Sequence, residues 1–531
     1  AATMPLALAM DHLEAVLVSL LVAVAGLSAV ATRVGVPYPI LLVLGGLVLG
    51  FMPGIPDVEL DPELVLVVFL PPLLYAAAFF ANLRELRADA RSITLLSIGL
   101  VLATTVTVAV AAHALVAGLP WAACFALGAI VAPTDPVAAT TIARRLGVPR
   151  RTIAIIEGES LVNDASALVA YRIAVGAITG GTFSLLDASG KFVLAAIGGV
   201  AVGYAVALVI AAIRRRIDDP TVSITISLLS GYAAYVPAEA IGASGVLAAV
   251  TTGIAMGWWA PTIVSPLVRQ QGFAFWELLT FLLNATLFVL VGLQLPSILD
   301  GLGDTSPGWL LGTAAAIAAV VTGTRIVWLN TSPYVIRALD RRPEQLARRE
   351  DWRLRLVAAW SGMRGAVSLA AALALPAETP QRDLLVFLTF GVILATLVLQ
   401  GLTLPALIRR LGVRGDGEIE EREELKARLA ATGAALARLD ELAAETWTRD
   451  DTVERMRAAY EYRRRRLKAR AGKLEDDGYE DRSVAYQTMV REVLEAQRAA
   501  ILALRNGGTI SNDVMHRLER ELDLEDQRLE I

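Results

Sequence analysis

The chain has 531 residues, of which 55% are hydrophobic and only 19% charged, with a formal net charge of −4 and a mean hydropathy of +0.57. That is more apolar than a water-soluble globular protein, and the near balance of charge argues against a nucleic-acid binder. A single cysteine, Cys124, and three histidines far apart, His12, His113 and His516, exclude a disulfide framework and make a thiolate or histidine metal centre improbable.

Apolar stretches long enough to cross a bilayer recur along the chain, at roughly 12–32, 37–54, 63–81, 92–117, 120–143, 152–179, 192–213, 220–236, 241–260, 272–296, 308–332, 356–376 and 383–408. Alternating strands of β-barrel type are absent. The spacing predicts an all-α polytopic membrane protein with about thirteen transmembrane helices over 1–414. The first stretch has no small-residue cleavage site ahead of a soluble domain, so it reads as a retained helix.

Arginines collect on one side of this array: Arg33, then Arg84, Arg87 and Arg91, then Arg144, Arg145, Arg150 and Arg151, then Arg214 to Arg216, Arg269, and the connection from Arg337 to Arg355. The other side carries Lys191 and Arg382 with the acids Asp57, Glu59, Asp61, Glu63, Asp300 and Asp304. Short cytoplasmic loops concentrate Lys and Arg, so the N-terminus is predicted outside and the C-terminus inside a plasma membrane.

Three segments break the apolar pattern. In the fifth stretch, Ala132-Pro133-Thr134-Asp135-Pro136 removes backbone donors and forces the helix to unwind at bilayer depth. In the sixth, Glu157-Gly158-Glu159-Ser160-Leu161-Val162-Asn163-Asp164 sets three carboxylates into a spanning helix, each costing about 3 kcal/mol at bilayer depth on insertion scales. In the twelfth, Ser361-Gly362-Met363-Arg364-Gly365 places an arginine between glycines. A single proline kink serves packing. Two breaks carrying charges, seven spans apart, predict instead inverted repeats with two discontinuous helices crossing near the midplane.

At helical spacing Glu157, Ser160 and Asp164 share one face, and Glu159 and Asn163 share the next. Carboxylate, hydroxyl and carbonyl oxygens suit Na⁺, Li⁺ or K⁺. A cation and a proton competing for Asp164 suffice for coupled exchange, and Asn163 in place of a second acid predicts one proton per cation. A channel requires an open pore with rings of ligands, which one deep carboxylate on a broken helix does not supply. An intramembrane aspartyl protease built on Asp135 and Asp164 would lack a Gly-x-Gly-Asp segment and leave the paired breaks unexplained. A transporter, not an enzyme and without a cofactor, is the expectation. Na⁺/H⁺ exchange leads, with K⁺/H⁺ exchange as the rival.

Other membrane-depth polar residues call for partners. Glu277 and Arg325 are expected to neutralise each other or core groups, Asn284 to bond a neighbouring helix, Glu239 to sit at the interface, and Gly45, Gly46 and Gly50 to permit close helix contact. From Gly415 the composition becomes charged and rich in Ala and Leu. Amphipathic helices are predicted over 418–446, 450–473 and 483–505, a stop at Asn506-Gly507-Gly508, and a last helix capped by Thr509 or Ser511. Residues 415–531 thus read as a cytosolic helical domain, possible roles being packing against itself or a second copy, or regulation. The run Arg463 to Arg466 lies among acids, so nucleic acid is not a partner.

The motifs carry a resemblance. Ala132-Pro133-Thr134-Asp135-Pro136-Val137-Ala138, Gly158-Glu159-Ser160-Leu161-Val162-Asn163-Asp164-Ala165 and Gly362-Met363-Arg364-Gly365-Ala366-Val367-Ser368-Leu369, in this order, resemble the signatures of the monovalent cation:proton antiporter-1 family, which includes bacterial sodium/proton antiporters and animal sodium/hydrogen exchangers. The resemblance implies that Asp164 binds cation or proton beside Asn163, that Ser160 and Thr134 are oxygen ligands of Na⁺ with it, and that Asp135 belongs to the unwound crossing. It further implies a structural salt bridge between Glu159 and Arg364, a homodimer in membrane lipid, and an elevator-like motion. Glu157 is a possible accessory at the entrance. Several relatives carry a glutamate in the third span, where Leu73-Leu74-Tyr75-Ala76-Ala77-Ala78 has none, so cation preference does not transfer.

Overall fold

The computed structural model describes residues 6–53, 62–180, 185–303, 305–339, 351–413, 415, 417–471 and 479–529, and these are helical with no β-strand among them. Asp57, Glu59, Asp61 and Asp304, assigned above to the acidic side, lie outside the described residues. The helices form two compact units, Ala1–Gly415 and Asp416–Ile531.

In the first unit, nine helices among the described residues are long and apolar enough to cross a membrane, and shorter apolar helices run over Val18–Val34, Tyr38–Gly50 and Val65–Phe80. Their outward faces carry bare aliphatic side chains, Leu194, Ile197, Val209, Leu311 and Val327 among them. Such a surface is stable only against lipid. A continuous apolar core joins Ile40, Val43, Leu127, Ile130, Phe288, Val289, Leu369 and Leu388.

Lipid tails are as apolar as leucine, so close backbone approach rather than apolar burial holds helices together in a bilayer. Gly46 on Tyr38–Gly50 faces the Val289 carbonyl, and Gly292 on Pro266–Leu293 faces that of Val43 in return. A Cβ at either position would collide with backbone, which makes these glycines packing residues, as expected for Gly46.

Both predicted breaks are present. The first broken helix is Trp121–Val131 followed by Pro136–Arg145, and the second is Trp352–Trp360 followed by Ala366–Leu373. Proline explains the first: Pro133 cannot donate, and Pro136, with its fixed φ, restarts the chain at the first helical position. The second has no proline. Gly362 and Gly365 lie there against side chains, Arg325 and Asp135, that leave no room for a Cβ.

The second unit contains Gly417–Leu442, Asp450–Arg470, Tyr479–Asn506 and Asn512–Leu529. Leu436, Leu439, Leu467, Leu494 and Met515 are its buried apolar residues among those described, while Arg457–Asp440 at 2.5 Å and Arg498–Asp523 at 2.8 Å tie helix to helix at the surface. The third helix stops where Gly508 adopts φ +70° and the Thr509 N–H returns to the Leu504 carbonyl. Of the two caps weighed from sequence, Ser511 does the work, accepting from the Val514 N–H at 3.3 Å.

Candidate ion-binding site

The two breaks meet. The Asp135 N–H donates to the Met363 carbonyl at 2.8 Å, and a Cβ at Gly365 would strike the Asp135 carboxylate. Asp135 caps Pro136–Arg145, its Oδ1 accepting from the Val137 N–H at 2.9 Å. Its carboxylate therefore stands where a helix N-terminus favours negative charge.

The opposite half-helix ends are met by cations. Arg364 donates from Nε to the Val131 carbonyl at 3.0 Å, closing Trp121–Val131, and from Nη1 to Gly362. Arg325 donates from Nε to Ala359 at 3.1 Å and from Nη2 to Ala358 at 3.2 Å, closing Trp352–Trp360. Each unwound segment thus has its orphan carbonyls satisfied by a buried guanidinium.

The sequence-based pairing of Glu159 with Arg364 is not what forms. Glu159 and Arg325 are 2% and 1% exposed and make a two-point ion pair, Nη1 to Oε1 and Nη2 to Oε2, the latter at 2.7 Å. Arg364 donates to backbone carbonyls instead, and the planar fork of Arg325 matches the carboxylate bidentately. Arg325 also needed a partner from sequence, but Glu277, the other expectation, is exposed on its helix. Asn284 likewise bonds within its own helix, to the Thr280 carbonyl at 2.8 Å, rather than to a neighbour.

Beside this pair the polar residues of the sixth span converge on the first break. Ser160 Oγ donates to the Thr134 carbonyl at 2.6 Å, Asn163 Nδ2 donates to Thr134 Oγ1 at 2.9 Å, and Thr134 Oγ1 reaches Glu159 Oε1 at 3.4 Å. The Asn163 Oδ1, fully buried, has no hydrogen-bond partner among the described residues. Asp164 makes no hydrogen bond among the described residues and lines a cavity of about 360 Å³ together with Asp135, Ser160 and Thr134. Leu70, Leu73, Leu74, Ala76 and Ala77 contribute apolar wall to it. The cavity also includes Glu157 and Arg144, which pair at 2.6 Å and are 29% and 63% exposed, so it reaches the arginine-rich face. Bordering that cavity, Leu161, Leu70 and Leu74 of its wall pack with Ala165, Tyr235, Val246 and Val250 in an apolar plug.

Sequence reasoning missed Tyr38, which lines the cavity and packs edge-on against Phe281; an aromatic at the start of an apolar stretch gives no signal. It also missed Arg172, which holds Glu239 Oε2 at 2.8 Å while Oε1 accepts from the Gly245 N–H at 3.0 Å. Among the described residues no cluster of three or more His, Cys, Asp or Glu is spaced to hold a metal. The donor set at Asp164 is oxygen alone, which fits a monovalent cation as cargo.

Crossed broken helices with charged caps around a cavity that holds carboxylates define a secondary ion transporter rather than an enzyme. A model of the transmembrane sodium/hydrogen exchanger matches residues 17–410, and the chain belongs to that family of cation/proton antiporters. It is 36% identical over 525 residues to an uncharacterised Na⁺/H⁺ exchanger of Mycobacterium tuberculosis, covering 97% of this chain and 96% of the relative. It is 35% identical over 408 residues to the Na⁺/H⁺ antiporter ApNhaP of Aphanothece halophytica, covering 76% and 75%. The sodium proton antiporter MjNhaP1 of Methanocaldococcus jannaschii shares the fold, with a TM-score of 0.58 at 18% identity over 76% of this chain and 99% of that one.

Proposed function

We propose that the protein exchanges Na⁺ or Li⁺ for H⁺ across the plasma membrane, one for one, by alternating access, with cation and proton competing at Asp164. The observation that carries this reading is the unbonded Asp164 carboxylate in a cavity with Asp135, Ser160 and Thr134, beside a Glu159 already neutralised by Arg325. A carboxylate whose charge is not cancelled by the protein must be cancelled by what it binds. Proton and cation are the two candidates, and occupancy by one excludes the other. Asn163, where a second acid would stand, is neutral, which supports electroneutral exchange.

K⁺/H⁺ exchange is the second reading. The cavity wall at Leu73 to Ala77 supplies no further carboxylate, and a Bacillus subtilis relative, 33% identical over 392 residues, is a sodium, potassium, lithium and rubidium/H⁺ antiporter. Proteoliposomes carrying an internal pH dye, challenged with Na⁺, Li⁺ and K⁺ in turn and repeated with the membrane potential clamped, test both readings. Cation-driven proton movement indifferent to the clamp is expected. No response to any of the three cations would sink the assignment. A homodimer, an outside N-terminus and a cytosolic second unit complete the proposal, supported by the arginine distribution for orientation.

A further inference from the structure

At the arginine-rich end of the bundle, away from the Asp164 cavity, Arg214 closes the helix Leu185–Arg214 and is 5% exposed. Its Nε donates to Ser223 Oγ at 3.1 Å, but its buried Nη1 has no hydrogen-bond partner among the described residues. In the same recess Ser227 is engaged by other groups, accepting from Trp276 Nε1 at 3.2 Å and lying 3.3 Å from the Tyr75 hydroxyl. The nearby Asp219 oxygen is engaged in capping Pro220–Ala240 through the Val222 N–H. Among the described residues no carboxylate pairs with Arg214, nor with the half-buried Arg269.

Both arginines line one narrow recess with Ser227, Phe273 and Trp276. Its inner volume is about 20 Å³, room for a single oxygen atom or water. A buried guanidinium without a counter-charge is costly, and a guanidinium fork is matched in shape and charge by phosphate oxygens. The inner space admits one such oxygen, while Arg269 in the same recess is placed for a second. The exposed Arg215 and Arg216 follow Arg214 directly, with the exposed acids Asp218 and Asp219 two and three positions beyond them.

We propose that this recess binds a phosphate anion, with one oxygen on the free Nη1 of Arg214 and the group held also by Arg269. The surroundings favour a lipid headgroup as its source: Phe273 in the recess wall is 47% exposed and Leu267, earlier on the same helix, 53% exposed, so acyl chains find apolar surface alongside. Basic pockets between helices on the arginine-rich side of membrane proteins take anionic headgroups in this way.

The test uses the full chain in nanodiscs of phosphatidylcholine alone or with phosphatidylglycerol, and in detergent with inorganic phosphate or with chloride at equal ionic strength. Melting temperature and lipid retained per protein, counted by native mass spectrometry, are the readouts. We expect phosphatidylglycerol to raise the melting temperature and to be retained. Arg269→Gln, at a part-exposed position, should cut retention about tenfold through loss of a charge-assisted contact; Arg214→Gln should do the same, and Arg410→Gln, an exposed control elsewhere, should not. Stabilisation by inorganic phosphate that Arg269→Gln removes would support the site and assign it to soluble phosphate. No stabilisation by either ligand, or equal stabilisation and retention in Arg269→Gln and the unaltered chain, overturns the proposal. Should Arg214→Gln fail to fold, Arg269→Gln decides alone.

Discussion

Two carboxylates five residues apart on one helix have opposite fates, and the neighbours of each explain why. Glu159 is 2% exposed and bound at two points by Arg325, whereas Asp164 faces the cavity without a hydrogen bond among the described residues. Replacing Arg325 by alanine strands Glu159 and two helix-end carbonyls, Ala358 and Ala359, in the core; losing one member of a buried pair costs about 3–5 kcal/mol. Thermal melts should show Arg325→Ala severely destabilised, and a variant melting like the parent would refute the pair. Asp164→Asn keeps shape and removes the titrating charge, so it should fold normally and move no protons in response to cations in proteoliposomes. The need for buried partners was legible in the sequence because a charge in an apolar stretch is visible by itself. Which partner was not: Glu159 and Arg325 are 166 positions apart, and whether Arg325 or Arg364 points at Glu159 depends on the rotation of the helix that carries Arg325 and on the path of the unwound segment that carries Arg364, which no local pattern encodes.

The two broken helices share one design: an arginine on the carbonyls of the first half and a tight approach at the start of the second. Asp135 supplies that approach for both, capping its own helix and pressing on Gly365. The breaks were legible because proline and glycine act on their own backbone; that Asp135 would bond Met363 across them was not. Gly365→Ala inserts a Cβ into the space of the Asp135 carboxylate, so the crossing must shift. Misplacing a functional group by an ångström costs on the order of a hundredfold in catalysis, and the same sensitivity predicts a loss of exchange of roughly tenfold or more with a modest change in melting temperature. The check is initial rate and melting temperature on the same preparation. Retained rate would show that the crossing has slack the geometry denies. By contrast Gly292→Ala, which meets the backbone of Tyr38–Gly50 away from the crossing, should lower the melting temperature first.

At the scale of the molecule, the cavity reaches the arginine-rich face while the apolar plug that borders it and the Arg172–Glu239 pair hold helix Arg150–Ile178 to helices Pro220–Ala240 and Gly245–Ile263. The alternating access proposed above requires that hold to be broken and remade, so its strength should be small. Partly exposed ion pairs contribute about 0.2–1 kcal/mol, and 1 kcal/mol changes a two-state ratio by about fivefold. Glu239→Gln should therefore raise the half-saturating Na⁺ concentration measured from the arginine-rich side by no more than about fivefold, without abolishing exchange. Abolition would give Glu239 a part in binding, although it is not among the residues that line the cavity. The second unit bears on the same cycle differently. It buries Leu436, Leu439, Leu467, Leu494 and Met515 and forms ion pairs within itself, so the first unit does not depend on it for a core. A chain ending at Gly415 should fold and exchange cations for protons, and unfolding of that chain would contradict the division. Its rate measured across pH then assigns the tail: a displaced profile makes the four helices a regulator of exchange, and a superimposable one leaves them the role of packing against a second copy.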